Sequence, residues 1–229
     1  MKHLPKLIAL IFVNFILVAN AHAYRYDFFL KGGVNQAYAK IKGNEGSNDL
    51  LRGTGFNTHF GHKWKYFDIA FSSNIYWGEI EDISFNAGNE NIRGEGSIRH
   101  VSFGPILRYQ FRGVEIYKDW FLFAGLGPVW SIQTIKMESF NSSGPNFNRN
   151  QKLVYESTGG VFVIGFEEDL PYKEMHQVYV ELSYSYKKSK ELSIVDASDF
   201  VETNILSTQE AQQDLSGHYY MISIGFTVF

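Results

Sequence analysis

The sequence predicts an all-β fold in which eight antiparallel strands close into an up-and-down barrel. Segments in which large apolar residues alternate with small or polar residues recur along the chain. The breaks between these segments are alternately short and long. The face opposite the large apolar residues holds mainly Gly, Ser, Asn and charged residues, a composition unsuited to a dry core. The apolar face is therefore expected to point outwards, towards lipid, as in a transmembrane barrel.

The N-terminal stretch is predicted to be a targeting signal rather than part of the barrel. A basic start is followed by an apolar run over 7–19 and by an A-x-A pattern at 21–23. The run is shorter than the about 20 residues that a membrane-spanning helix needs. We therefore expect a cleaved secretory signal peptide over 1–23 and a barrel domain over 24–229.

Four strands are predicted in the first half of the chain, at 26–41, 52–63, 67–80 and 98–111. Each carries large apolar residues at alternate positions, which places them on one face of a strand. The outward rows are Phe28, Leu30, Val34 and Tyr38; Phe56 and Phe60; Phe67, Ile69, Phe71, Ile75 and Trp77; and Val101, Phe103, Leu107, Tyr109 and Phe111.

Four more strands are predicted at 120–137, 158–168, 178–190 and 218–229. Their outward rows are Leu122, Ala124, Leu126 and Trp130; Phe162, Ile164 and Phe166; Val180, Leu182, Tyr184 and Tyr186; and Tyr220, Ile222, Ile224, Phe226 and Val228. Pro105 and Pro128 fall inside strands. Because proline removes a donor from the hydrogen-bond ladder, we expect a local irregularity at both positions.

The closing strand and the order of the connections resemble the small bacterial outer-membrane barrels of the OmpA/OmpX type. Gly225, Phe226 and the terminal Phe229 are similar to the assembly signal of that family. The resemblance implies short periplasmic turns at 64–66, 112–119 and 169–177, and long extracellular loops at 43–51, 81–96, 138–157 and 191–217. It further implies an outer-membrane location, contact with outer-membrane lipids and lipopolysaccharide, handling by the barrel-assembly machinery, and a monomer.

The composition excludes several classes of function. The chain has no cysteine, so it has neither a disulfide nor a thiolate metal site. The formal net charge of −3 does not favour binding to nucleic acid. We assign no cofactor, no metal site and no catalytic residue.

Charged residues on the inward face predict a network inside the barrel. Its members are Asp27, Lys31, Asp68, Arg108, Glu167 and Glu181. An eight-stranded barrel is just wide enough to be filled by side chains, so these charges are expected to pair. A structural plug is the first interpretation, and a gated path for protons or ions is the second.

Basic residues at the outer ends of the strands predict a lipopolysaccharide-contacting rim. By alternation all of them face lipid: Lys40, Lys42, Arg52, Arg99, Lys136, Lys188 and Lys190. Lys and Arg bind phosphate groups well, and their apolar stems can lie along the lipid-facing surface. The alternative interpretation is a set of strand ends that are simply hydrated.

Two histidine patterns bear on possible catalysis or metal binding. His59 and His62 are three positions apart on a strand and face opposite sides, so they are not expected to chelate one ion. His218 faces outwards near the outer rim, as a lipid A deacylase-like hydrolase would require, but no family motif surrounds it.

The resemblance implies a closed barrel with a role in envelope integrity or surface contact. A lipid-modifying enzyme and a narrow channel are the alternatives.

Overall fold

The structure, a computed structural model, describes residues 28–41, 50–64, 66–87, 90–117, 120–142, 147, 150–168, 177–196, 202–207 and 216–227. These residues form nine strands. In chain order they are β1 (Phe28–Ile41), β2 (Leu50–Trp64), β3 (Phe67–Ala87), β4 (Glu90–Tyr117), β5 (Trp120–Ser142), β6 (Gln151–Glu168), β7 (Val178–Asp196), β8 (Glu202–Ser207) and β9 (Gly217–Thr227). Within this part of the chain, no helix is long and apolar enough to span a membrane.

Eight of these strands form a closed ring. Strands β1 to β7 pair with their sequence neighbours in antiparallel order, and β9 completes the ring between β7 and β1. Strand β8 pairs with the outer end of β7 and lies outside the ring. The predicted all-β, eight-stranded antiparallel barrel is therefore confirmed, and β8 is an addition that the sequence did not indicate.

Large apolar side chains cover the outside of the ring. Phe71, Leu126 and Ile224 are 51%, 65% and 53% exposed, and similar side chains recur on the ring strands. A barrel that folds in water places such residues inside. A continuous apolar exterior of this kind is stable only against lipid, so the ring is a membrane-spanning barrel.

The prediction of a loop at 81–96 is wrong, because this segment forms the outer part of a β-hairpin. Strand β3 continues to Ala87 and β4 begins at Glu90. Ile83 and Ile92 are fully buried against other apolar residues. The segment contains many Gly, Asn and Glu residues, which hide the alternation of its few apolar positions.

Strands also extend into three other predicted connections, at 112–119, 138–157 and 191–217. Strand β4 continues to Tyr117, β5 to Ser142 and β7 to Asp196, and β6 begins at Gln151. A tilted strand of about 9–11 residues crosses a membrane. The 28 residues of β4 and 23 of β5 therefore reach well beyond the bilayer.

The interior of the barrel has two layers of different composition. The layer near the predicted periplasmic end, which we call the charged layer, contains buried charged and polar side chains, as expected; its charged members are Lys31, Asp68, Arg108, Glu167 and Glu181. The layer towards the long hairpins, which we call the apolar layer, corrects the prediction of a uniformly small and polar inner face. Its members are Ala37, Ala39, Leu51, Tyr76, Ile80, Ile83, Ile92, Ile98, Ile135, Met137, Phe147, Leu153, Tyr155, Leu192, Ile194 and Tyr219.

The ladder between β4 and β5 is interrupted at the two strand prolines, as predicted. The two strands do not pair between Phe103↔Trp130 and Leu107↔Leu126, although the register is the same on both sides. Pro105 lies in the part of β4 that is not paired with β5, and Pro128 faces it from β5. The interruption follows from the missing proline N–H groups.

Candidate functional site

Arg108 is the centre of the charged layer. Its guanidinium donates a hydrogen bond to Asp68 Oδ2 at 3.0 Å, and both residues are 1% exposed. The amide of Gln110 also donates to the Asp68 carboxylate, at 3.1 and 3.2 Å. Arg108 further lies over the rings of Phe29 and Phe123, at 5.2 and 5.1 Å from their centroids. These contacts compensate the charge inside the barrel.

A second group of charges joins β1, β2 and β6. Lys31 forms a buried ion pair with Glu167. The other oxygen of this carboxylate lies 3.7 Å from Nζ of Lys63, which is partly exposed. Strands β1 and β6 are not neighbours in the ring, so the Lys31–Glu167 pair crosses the interior of the barrel.

Glu181 lies beside a set of polar side chains. Nε2 of His59 is 3.6 Å from Glu181 Oε1. The Asn57 amide is 3.1 Å from the same His59 nitrogen and donates to the hydroxyl of Tyr179 at 3.0 Å. The charged layer therefore fills its part of the barrel with contacts between several strands.

The structure brings together five of the six residues of the predicted lumen network, and Asp27 lies outside the described residues. The structure adds Lys63, Gln110 and Asn57 to the predicted network. Alternation along the strand already placed Gln110 and Asn57 on the inner face, so it was the signal that could have identified them. Alternation does not place Lys63 in the network. It joins the network because its long side chain extends to Glu167 from the end of β2.

Five predicted rim residues are exposed on the outside of the ring: Lys40, Arg52, Arg99, Lys136 and Lys188. Lys42 lies outside the described residues, as does the side chain of Lys190. Ladder partners connect the rim residues across strands. Arg52 pairs with Glu79, Glu79 with Ser97, Ser97 with Lys136, and Lys136 with Lys152.

The last of these pairs was not predicted. Lys136 and Lys152 are directly opposite each other on β5 and β6, on the outer face. Like charges at opposed positions of a sheet repel each other. An anionic group between them would remove that repulsion.

His218 lies on the outer face in a group of aromatic side chains. Its Nδ1 is 2.8 Å from the hydroxyl of Tyr184, and its ring is 5.3 Å from that of Tyr186. In the ladder it pairs with Tyr186 on one side and with Lys40 on the other. Within the described residues, no serine or carboxylate contact accompanies this histidine, so the charge relay of a hydrolase is not assembled there.

The structure places the His59/His62 pair and part of the proposed assembly signal. His59 is buried in the barrel, whereas His62 packs outside between the rings of Phe28 and Trp64, at 4.9 Å from each. The two histidines therefore face opposite sides. Of the proposed assembly signal, Gly225 is buried in β9 and Phe226 is exposed, while Phe229 lies outside the described residues.

Comparison with known proteins gives likeness at the level of structure. No protein-family model and no curated protein matches the chain. The crystal structure of neisserial surface protein A has a TM-score of 0.52 and 12% identity, and the match covers 88% of this chain and 96% of that one. OprG from Pseudomonas aeruginosa has a TM-score of 0.49 and 16% identity, covering 88% and 95%. Ail of Yersinia pestis has a TM-score of 0.40 and 12% identity, covering 88% and 97%.

The likeness to neisserial surface protein A shows a shared barrel fold. This fold and the apolar exterior together indicate a barrel of the bacterial outer membrane, as the sequence predicted.

Proposed function

We propose that the protein is a closed outer-membrane barrel that supports the cell envelope by holding lipopolysaccharide at its outer rim. The observation that carries the proposal is the pair formed by Lys136 and Lys152, two lysines directly opposed on the lipid-facing side. Phosphate is the anion that the outer leaflet supplies at this height. A phosphate group between the two ammonium groups would replace repulsion by two charge-assisted hydrogen bonds.

A second patch of the same kind supports the proposal. Lys40 and Lys188 lie on either side of His218, on the three neighbouring strands β1, β9 and β7. In the next outward-facing row of these strands, towards the periplasmic end, Tyr184 and Tyr220 present exposed rings, 5.4 Å apart. Cations beside aromatic faces suit a ligand that combines phosphate with sugar rings and acyl chains.

The filled interior favours a structural role over transport. The charged layer and the apolar layer both lie across the lumen, and Arg108, Lys31, Ile80 and Ile98 are at most 2% exposed. A water-filled channel requires exposed polar residues along its whole length. Outer-surface contact through the long hairpins is compatible with the same closed barrel.

The test is to neutralise the opposed lysines and measure lipopolysaccharide binding. In the double variant Lys136→Gln/Lys152→Gln we expect about 30-fold weaker binding, because each cation at such a surface contributes about 1 kcal/mol. The amount of lipopolysaccharide that copurifies with the barrel, and the rise in unfolding temperature on adding it, should both fall. Neutralising Lys40, Lys42, Lys188 and Lys190 together should have the same direction of effect.

Glu138→Gln is the matched control, because Glu138 is also exposed near Lys136 and its change removes a negative charge. It should leave binding unchanged or strengthen it. If the lysine variants copurify with as much lipopolysaccharide as the unaltered protein, the rim is only a hydrated strand end. Mass analysis of lipid A incubated with the purified barrel separates this function from the alternative of a lipid-modifying enzyme, since a binding protein leaves that mass unchanged.

A further inference from the structure

A small cavity lies inside the barrel where the β4–β5 ladder is interrupted. Its volume is about 40 Å³. Gly104 and Pro128 line it on the side of the interruption, and Lys187, Ser72 and Tyr76 are among its other lining residues. The space exceeds the about 10–15 Å³ that a single water molecule requires.

Lys187 carries a buried amine without a counter-charge in the described part of the chain. It is 3% exposed, and its Nζ lies 2.7 Å from Nε2 of His100. Nζ also lies over the ring of Tyr219, 4.5 Å from its centroid. No described carboxylate is within ion-pair distance of this group. Glu181, on the same strand, is separated from it by about 20 Å of extended chain.

The contacts of Lys187 leave hydrogen-bond donors unused. An ammonium carries three N–H donors, and His100 accepts one of them. A ring nitrogen that accepts at Nε2 leaves the proton of the neutral imidazole on Nδ1, and His100 Nδ1 has no described partner. The hydroxyl groups of Ser72 and Tyr76 also have no described partner, and both residues are 3% exposed.

We propose that this cavity binds one small monovalent inorganic anion of the halide class, held by the Lys187 ammonium and the hydroxyl groups of Ser72 and Tyr76. Water would satisfy the hydroxyl groups, but only an anion compensates the positive charge of a protonated Lys187. The single amine favours a ligand of charge one, and the small volume excludes large anions. The site is independent of the lipopolysaccharide rim, which lies on the opposite face of the strands.

The direct test is to crystallise the purified barrel in sodium bromide and measure anomalous scattering. A bromide peak is expected in the cavity beside Lys187 Nζ, and it should be lost in Lys187→Met. A map of the unaltered protein without such a peak overturns the proposal, and this result does not depend on whether the variant folds.

A second measurement compares thermal unfolding in sodium bromide and in sodium gluconate at equal ionic strength, in detergent free of lipopolysaccharide. Bromide should raise the unfolding temperature by about 2–4 °C for a chain of this size. Lys187→Met should remove this difference. Arg93→Met is the control, because it also removes one basic side chain, from an exposed position outside the cavity and the rim, and it should keep the difference. A halide effect that persists in Lys187→Met also overturns the proposal.

Discussion

Arg108 shows how this barrel keeps a full positive charge inside a membrane. The side chain cannot lose its proton, so its charge must be compensated by neighbours. Asp68 supplies the opposite charge at 3.0 Å, and the rings of Phe29 and Phe123 cover the guanidinium. Removing either charged partner leaves the other buried and unpaired.

Arg108→Ala is therefore expected to lower the free energy of unfolding by about 3–5 kcal/mol, measured from urea unfolding of the reconstituted barrel. Asp68→Ala should have a similar cost. The double variant should lose clearly less than the sum of the two, because it leaves no orphan charge. Additive losses would mean that the two side chains do not interact.

Strands β4 and β5 approach each other closely at Gly127, beside the proline interruption. A Cβ added at Gly127 would lie 2.0 Å from the carbonyl oxygen of Pro105, well inside contact distance. Gly127→Val should therefore destabilise the barrel, by about 1–3 kcal/mol if the strands can shift to accommodate it. Gly160→Val is the control, since the nearest atom to its added Cβ is 3.9 Å away. Equal unfolding midpoints for the two variants would contradict this packing.

The direction of each interior side chain could be predicted from alternation, but its partner could not. Lys31 and Glu167 were both placed inside, yet they belong to strands that are not neighbours. Which charges meet across the ring depends on the stagger of the strands, and a local sequence pattern does not contain it. The contact between Arg108 and Asp68 is easier to predict, because these residues are ladder partners on adjacent strands.

At the scale of elements, the β3–β4 hairpin is the largest departure from the prediction. Its composition indicates a loop, and its structure is decided by burial of a few apolar residues. Ile83 and Ile92 are fully buried in the apolar layer, which the turn-like residues around them do not reveal. Strands of the membrane part were predictable because lipid demands an apolar residue at nearly every outward position. Hairpins above the membrane have water outside, so only their inner positions are constrained.

Ile92→Ala should loosen this hairpin without unfolding the ring. The lost packing is worth about 2–5 kcal/mol, which acts on the local stability of the β3–β4 extension. We expect faster hydrogen exchange at the amides of this extension and faster proteolysis within it. Glu95→Ala, at an exposed position of the same extension, should change neither rate appreciably. Unchanged exchange in Ile92→Ala would show that the apolar layer does not hold the hairpin.

At the scale of the whole molecule, the orientation in the membrane follows from the unequal ends of the barrel. The hairpins project from one end, and short connections join the strands at the other. In intact cells, a membrane-impermeant maleimide should label Asn86→Cys but not Tyr66→Cys. The chain has no cysteine of its own, so any label reports the introduced residue. Labelling of Tyr66→Cys alone would invert the orientation.

Two layers of buried side chains close the lumen of this barrel. The electrical conductance of the purified barrel in a planar lipid bilayer tests this closure. Because the charged layer and the apolar layer lie in series along the lumen, the protein should insert without producing conductance steps. Reproducible steps of constant size, seen with the unaltered protein and absent from protein-free controls, would contradict the closed barrel.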